Sequence, residues 1–280
     1  MQQTNIANPN IGGQFEAEML ENVRPPDTLD NAAALVTADE KKPRAPIKYR
    51  AKPKFPLPVP AKVFLLDLDG TLLDTANDIA TAANRMREAF GFGPLEPAVI
   101  RNFIGRGIDN LVTLTMKNAV GELGGNSRKV AVAQFEKHYA DCLADSSHAY
   151  PGVLEGLEIF KEKGFKLACV TNKSTRFVEP LLAKTGLLPY FELVIAGDTL
   201  AEKKPHPLPL QHAAKHFGVK MDEVVMVGDS MHDAAAARAA GCPVFIVPYG
   251  YNEGQELRGL DCDAFIDDLP SALKYAKIVF

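Results

Sequence analysis

The sequence predicts an α/β protein, a doubly wound parallel sheet with an α-helical insertion, and three observations carry that reading. Five continuous apolar runs, VFLLD at 63–67, KLACVT at 166–171, ELVIAG at 192–197, EVVMVGD at 223–229 and VFIVP at 244–248, read as strands buried on both faces. Amphipathic stretches such as LEGLEIFKEKG separate these runs and supply helices to cover the sheet. Between the first two runs, from about Ile79 to His148, lies a segment of helical periodicity without a strand pattern, far longer than a crossover needs.

In chain order, residues 1–61 differ from the rest. They are acidic and polar up to Glu40, then basic through Lys41, Lys42, Arg44, Lys48, Arg50, Lys52 and Lys54, with prolines at 53, 56, 58 and 60. This composition predicts a disordered Pro/Lys-rich extension ending in a stiff linker, because it offers too little apolar surface to offset the entropy of ordering. Residues 62–78 and 149–280 are expected to form the sheet-bearing core. Residues 79–148 are expected to form a helical cap over the carboxyl edge of the sheet, since DIATAANRMREAF, IDNLVTLTMKNAV and VAVAQFEKHYADCL repeat apolar residues at three- and four-residue spacing. The run AAAARAAG at 234–241 reads as a close-packed helix stopped by Gly241.

Bulk properties narrow the function. With 280 residues, 46% hydrophobic and 24% charged, the chain has the composition of a globular enzyme. A formal net charge of -4 gives no basic excess for a nucleic-acid surface. Apolar runs fall short of a membrane helix, so neither nucleic acid nor membrane is expected as a partner. The N-terminal MQQTNIANPNIGGQFEAEML carries Glu16 and Glu18 and lacks the basic-then-apolar pattern of a secretory signal, which predicts a cytoplasmic protein. Cys142, Cys169, Cys242 and Cys262 show no CxxC spacing, so neither a zinc knuckle nor a disulfide framework is expected. His212 and His216 stand four apart on an expected helix but have no third ligand nearby, and Cys169 reads as a small core residue.

Ligands of open parallel sheets bind beyond the carboxyl ends of the strands, and here those ends are polar. The first run leads into Asp67-Leu68-Asp69-Gly70-Thr71, the second into Thr171-Asn172-Lys173, and the fourth into Gly228-Asp229-Ser230 with Asp233 beyond, while Lys203-Lys204-Pro205 follows the third. These residue types suit phosphoryl transfer through a covalent aspartyl phosphate, with Asp67 as nucleophile. An anion attacking a phosphate dianion meets repulsion, so a hard cation, Mg²⁺, is expected on Asp67, Asp229 and the Asp69 carbonyl, with Asp233 as a further ligand or anchor. Asp69 is placed to protonate the leaving group and later to activate water. Thr71 is expected to orient Asp69 or its loop. Thr171 and the Asn172 amide are expected to hold phosphoryl oxygens, and Lys204 to neutralise charge between phosphate and carboxylate.

The ordered set DLDGT, VTNK, KKP and GDSMHD resembles the four motifs of the haloacid dehalogenase superfamily over about residues 62–280. That resemblance implies a Rossmann-like core. With FIGRGIDNLV at 103–112, AGDTLAEKKPHP at 196–207 and PYGYNEG at 248–254, the sequence is most similar to the phosphoglycolate phosphatase family within it. The implied activity is Mg²⁺-dependent hydrolysis of a small phosphorylated metabolite by a monomer or homodimer. The substrate expected first is 2-phosphoglycolate. A sugar phosphate, pyrophosphate or a phosphomutase reaction are the alternatives. Arg106, between two glycines in the cap, is the residue expected to reach the substrate's carboxylate or phosphate.

Overall fold

The computed structural model describes residues 51–279 apart from Arg258. The expectations for residues 1–50 lie outside it. Its strands are β1 (Val59–Ala61), β2 (Val63–Leu66), β3 (Leu73–Asp74), β4 (His148–Ala149), β5 (Lys166–Val170), β6 (Leu193–Ile195), β7 (Val224–Gly228), β8 (Val244–Ile246), β9 (Ala264–Phe265) and β10 (Ala276–Ile278). The α-helices are α1 (Ala76–Ala89), α2 (Pro97–Arg101), α3 (Ile108–Val120), α4 (Gly125–Asp141), α5 (Val153–Glu162), α6 (Thr175–Lys184), α7 (Leu208–Phe217) and α8 (Met231–Ala240).

Six strands form one parallel sheet in the order β6-β5-β2-β7-β8-β9. Each expected apolar run is a strand of it. Successive side chains of a strand point to opposite faces, and both faces are covered. Phe64, Leu66, Val225, Val227 and Phe245 enter one core with Val153, Leu157 and Phe160 of α5 and Phe177, Val178 and Leu181 of α6. Val63, Leu65, Val224, Met226 and Val244 enter the other with Leu210 and Ala213 of α7 and Ala236 and Ala237 of α8. Phe64 stacks on Phe160 with ring centroids 4.2 Å apart, and Phe165 meets it edge-on at 5.0 Å. Burying such a ring contributes about 1.5–3 kcal/mol, which makes this pair a main fastener of α5 to the central strand.

The chain runs outward from β2 to β5 and β6, then returns to the far side of β2 for β7, β8 and β9. The loops leaving β2, β5 and β7 therefore diverge at a topological switch point, where such sheets open a crevice. Over that crevice lie α1 to α4. Ile79, Met86, Leu111, Val112, Met116, Phe135 and Tyr139 form their shared interior. The two passages between sheet and cap are joined to each other: β3 pairs antiparallel with β4, Leu73 opposite Ala149 and Asp74 opposite His148. Asp78 ties the same neck by accepting the Ser146 and Ser147 amides at 2.8 and 2.9 Å.

The expected disorder of residues 1–61 is corrected over the last part of that extension. Residues 59–61 form β1, which pairs in parallel with β10, Val59 opposite Ala276 and Ala61 opposite Ile278. Val59 N donates to Tyr275 O and Ala61 O accepts from Val279 N, so Pro60, the alternate residue, turns its backbone away from β10 and its missing N–H costs no ladder bond. Upstream, the Lys54 amide donates to Asp263 Oδ1 at 2.7 Å, and Lys52 N to Cys262 O at 3.1 Å. Among the described residues, no helix is long and apolar enough to cross a membrane. All four cysteines are buried and free.

Candidate active site

Asp67 directly follows β2, and its amide donates to Val227 O at 2.9 Å, so the sheet ladder itself fixes the residue. The chain then turns sharply. Leu72 N and Leu73 N both reach back to Leu68 O at 3.0 Å, and Gly70 sits at φ +90°, where a Cβ would run into the Asp229 carboxylate. The turn brings Asp69 round to Thr75 Oγ1, which donates to its Oδ1 at 2.7 Å, and to Lys173 Nζ, at 3.0 and 3.2 Å from its two oxygens. Of the two roles expected for Thr71, orienting Asp69 or its loop, its hydroxyl is on the side of the loop: it points at Asp229 Oδ1, 3.4 Å away, and not at Asp69. Thr75, at the start of α1, and Lys173 are the residues that orient Asp69.

Lys204, only 3% exposed, is the hub. Its ammonium donates to Asp67 Oδ1 at 2.7 Å, to Asp233 Oδ1 at 2.7 Å and to Val170 O at 2.6 Å, which uses all three N–H bonds. Burial alone would pull this ammonium down, but Asp233 and Asp67 outweigh it and hold it above its ordinary range. The other oxygen of Asp233 accepts Ser230 N at 3.1 Å and Ser230 Oγ at 2.7 Å, capping α8. Both oxygens of Asp233 are thus spoken for by protein donors. Asp229 Oδ2 accepts the Tyr251 amide at 2.6 Å.

Three carboxylates, Asp67, Asp229 and Asp233, offer oxygens within 4.8 Å of one another against the single ammonium of Lys204. Burial, only partly offset by Lys204 and reinforced by Asp233, pushes the Asp67 carboxyl up to about 7. Asp229 is pushed up too, first by burial and then by Asp67 and Asp233. When all three are ionised, three carboxylates against one ammonium leave an excess of two, the charge that a divalent cation would cancel; the raised Asp67 and Asp229 show how unfavourable that excess is without one.

The second strand end contributes Thr171, whose amide donates to Ile195 O at 2.9 Å, and Asn172. Asn172 Nδ2 donates to Lys204 O at 2.8 Å and to Gly105 O of the cap at 3.0 Å, while its Oδ1 is buried without a partner among the described residues. One cavity is lined by Asp67, Asp69, Thr171, Asn172, Lys204 and Asp229 below and by Phe103, Ile104, Ile108, Leu111, Phe135 and Tyr139 of the cap above. Arg106 is not among its lining residues. Its guanidinium turns away to Glu253, with Nε and Nη2 donating to the carboxylate at 2.6 to 3.0 Å.

A family profile described as haloacid dehalogenase-like hydrolase matches residues 64–247, the stretch that carries every residue of this cavity except Tyr251 and Asn252. The chain belongs to the haloacid dehalogenase-like hydrolases. Relatives in that family include proteins named phosphoglycolate phosphatase from Nitrosospira multiformis, 48% identical over 79% of this chain and 96% of theirs, and from Thiobacillus denitrificans, 46% identical over 78% and 96%. A solved structure described as a predicted phosphoglycolate phosphatase from Haemophilus somnus superposes with a TM-score of 0.73 at 34% identity, covering 76% of this chain and 97% of that one.

Several residues of this hydrolase site escape a reading of the motifs alone. Lys173 stands inside VTNK, yet only the fold shows its ammonium on Asp69 and 4.7 Å above the Tyr139 ring of the cap. Ser230 is visible as the start of a capping box three residues before Asp233. His232, in the first turn of α8, and Glu253, in the loop after β8, meet at 2.6 Å, and no local spacing announces that contact.

Proposed function

We propose that the chain is a Mg²⁺-dependent phosphomonoesterase that hydrolyses 2-phosphoglycolate to glycolate and phosphate. The observation that carries this is the placement of Asp67 and Asp69 on one turn, each held by its own lysine, Lys204 and Lys173, beneath a closed cap. Two carboxylates in separate environments suit separate tasks.

Asp67 and Asp229, with the Asp69 carbonyl, form the donor set for Mg²⁺, which supplies screening between the nucleophile and the incoming phosphate dianion. Asp233, with both oxygens engaged, serves as the anchor that fixes Lys204. Lys204 in turn fixes Asp67. An Asp67 carboxylate oxygen forms a bond to phosphorus as the bond to the ester oxygen breaks, and Asp69 gives the departing oxygen its proton. Asp69, now a carboxylate, takes a proton from water; the water oxygen bonds to phosphorus, phosphate leaves and Asp67 is restored. Thr171 and the Asn172 amide receive the phosphoryl oxygens. Thr75 and Lys173 keep Asp69 pointed at the reacting atoms.

The choice of 2-phosphoglycolate rests on the names of the relatives and on where the cations stand. Lys173 and Lys204 both face the cavity from the core, while the cap residues lining it carry no cation. Such a pocket suits a compact substrate with its carboxylate next to its phosphate. It offers nothing for the second phosphate that a mutase must hold at the cap. Phosphate release from a panel of small esters, with and without Mg²⁺, tests the reading: 2-phosphoglycolate should lead the panel. Isomerised sugar phosphate as the main product would overturn it.

A further inference from the structure

We infer that Glu253 is a positioning residue, the core half of a latch that sets the cap loop 105–107 over the cavity by gripping Arg106. This rests on the phosphatase reading only for its kinetic consequence.

Glu253 Oε1 accepts Arg106 Nε at 2.9 Å and His232 Nε2 at 2.6 Å, and Oε2 accepts Arg106 Nε at 3.0 Å and Nη2 at 2.6 Å. The carboxylate is only 9% exposed although its arginine partner is 49% exposed, so the anchored end of the latch is on the core. Planar, two-pronged pairing of this kind fixes direction as well as distance. The backbone beneath it is built for the purpose. Asn252 and Glu253 stand at φ 42° and 50°, a left-handed conformation that non-glycine residues keep only where surrounding contacts impose it. Here the impositions are the Tyr251 amide on Asp229 at 2.6 Å and Asn252 Nδ2 on Gln255 O at 2.7 Å. Glu253 is therefore two residues from a backbone group held by a candidate metal ligand.

The captured loop leaves no slack. Lys203 Nζ donates to Arg106 O at 2.8 Å, Asn172 Nδ2 holds Gly105 O at 3.0 Å, and a Cβ on Gly107 would stand 2.9 Å from Lys203 Nζ. Three core loops, those after β5, β6 and β8, thus bond to two consecutive cap residues, Gly105 and Arg106, with Gly107 packed against Lys203 beside them. Of these ties, only Glu253–Arg106 joins two charged side chains. Gly105 and Gly107 both line the cavity, so the position of this loop defines the cavity's upper edge.

The test compares Glu253→Gln, Arg106→Gln and the double variant. In the substrate-free protein, amide hydrogen exchange across 103–108 should accelerate in each single variant and no further in the double. With 2-phosphoglycolate and with para-nitrophenyl phosphate, each single variant should raise KM roughly five- to tenfold while kcat changes less than about threefold, because a latch taxes the closed population. The double variant should match the singles. Unchanged exchange in Glu253→Gln, or additive losses in kcat/KM, would overturn the latch. A loss confined to 2-phosphoglycolate would overturn it as well, since that pattern belongs to an Arg106 that touches the substrate carboxylate. Should Glu253→Gln fail to fold, Arg106→Gln, at a half-exposed position, gives the same two readouts. Should the wild type release phosphate from no ester, the phosphatase reading falls, while the exchange experiment still decides the latch.

Discussion

Lys204 stands midway between Asp67 and Asp233, 2.7 Å from an oxygen of each, so the proposed nucleophile is oriented by a cation that is itself held by a helix-capping carboxylate. Replacing Lys204 with Met should leave these two carboxylates unpaired and buried, at a cost of about 3–5 kcal/mol. Urea unfolding in metal-free buffer measures this. A loss below about 1 kcal/mol would show that the lysine is not the structural hub the geometry makes it.

Asp67→Asn should lower turnover by on the order of 10⁴-fold or more with the fold intact, since an amide cannot become an acyl phosphate. Asp69→Asn should slow both the formation and the hydrolysis of the phosphoenzyme by roughly 10²- to 10⁴-fold, the usual reach of a general acid–base group. Rapid-quench trapping of phosphorylated enzyme separates the two steps. Unaltered hydrolysis of a trapped intermediate would remove Asp69 from the second.

Removing divalent metal should abolish activity, and Mg²⁺ should restore it. The reason is the uncancelled negative charge on Asp67, Asp229 and Asp233. Ca²⁺ should inhibit, because its larger and looser shell misplaces nucleophile and phosphorus. Full activity after exhaustive chelation would contradict the charge argument.

Glu253 also has a signature in acid. Burial raises its carboxyl, but the hydrogen bonds from Arg106 and His232 outweigh that and bring it below the ordinary glutamate value of 4.5. A carboxyl lowered by folding stabilises the native state fully above its unfolded value, and that contribution disappears as pH falls through the lower, folded one. The stability gap between wild type and Glu253→Gln should therefore be constant just above about pH 5 and shrink below about pH 4.5. Denaturant midpoints across that range report it. A gap that widens in acid would have the wrong sign.

Much of this was legible in the residues. The runs at 63–67 and 223–229 announce a two-sided strand because every residue of β2 and β7 is buried, so no face has to alternate. IDNLVTLTMKNAV predicts α3 from end to end. What stayed hidden depends on contacts between residues distant in sequence. β1 is three residues long, contains a proline and finds β10 more than two hundred positions away, so it carries no periodicity of its own. Arg106 showed as a residue of interest, but its partner Glu253 lies 147 positions on, in a backbone conformation that no propensity favours. Thr71, beside Asp69 in sequence, is the partner the motif suggests, but the turn at Gly70 brings Thr75 to Asp69 instead.

The parallel pair of β1 and β10 has a further consequence for how the enzyme can be handled. Lys52 and Lys54 are moored at Cys262 and Asp263, where β9 begins, and β2, β8 and β9 all start at that same end of the sheet. The mooring is therefore the pole opposite the one where catalysis takes place. A tag, a fluorophore or a solid support joined directly at residue 51 would attach away from the mouth of the cavity. Deleting residues 1–61 should unclasp β10 and lower the melting temperature, because Val59 and Ala61 are fully buried.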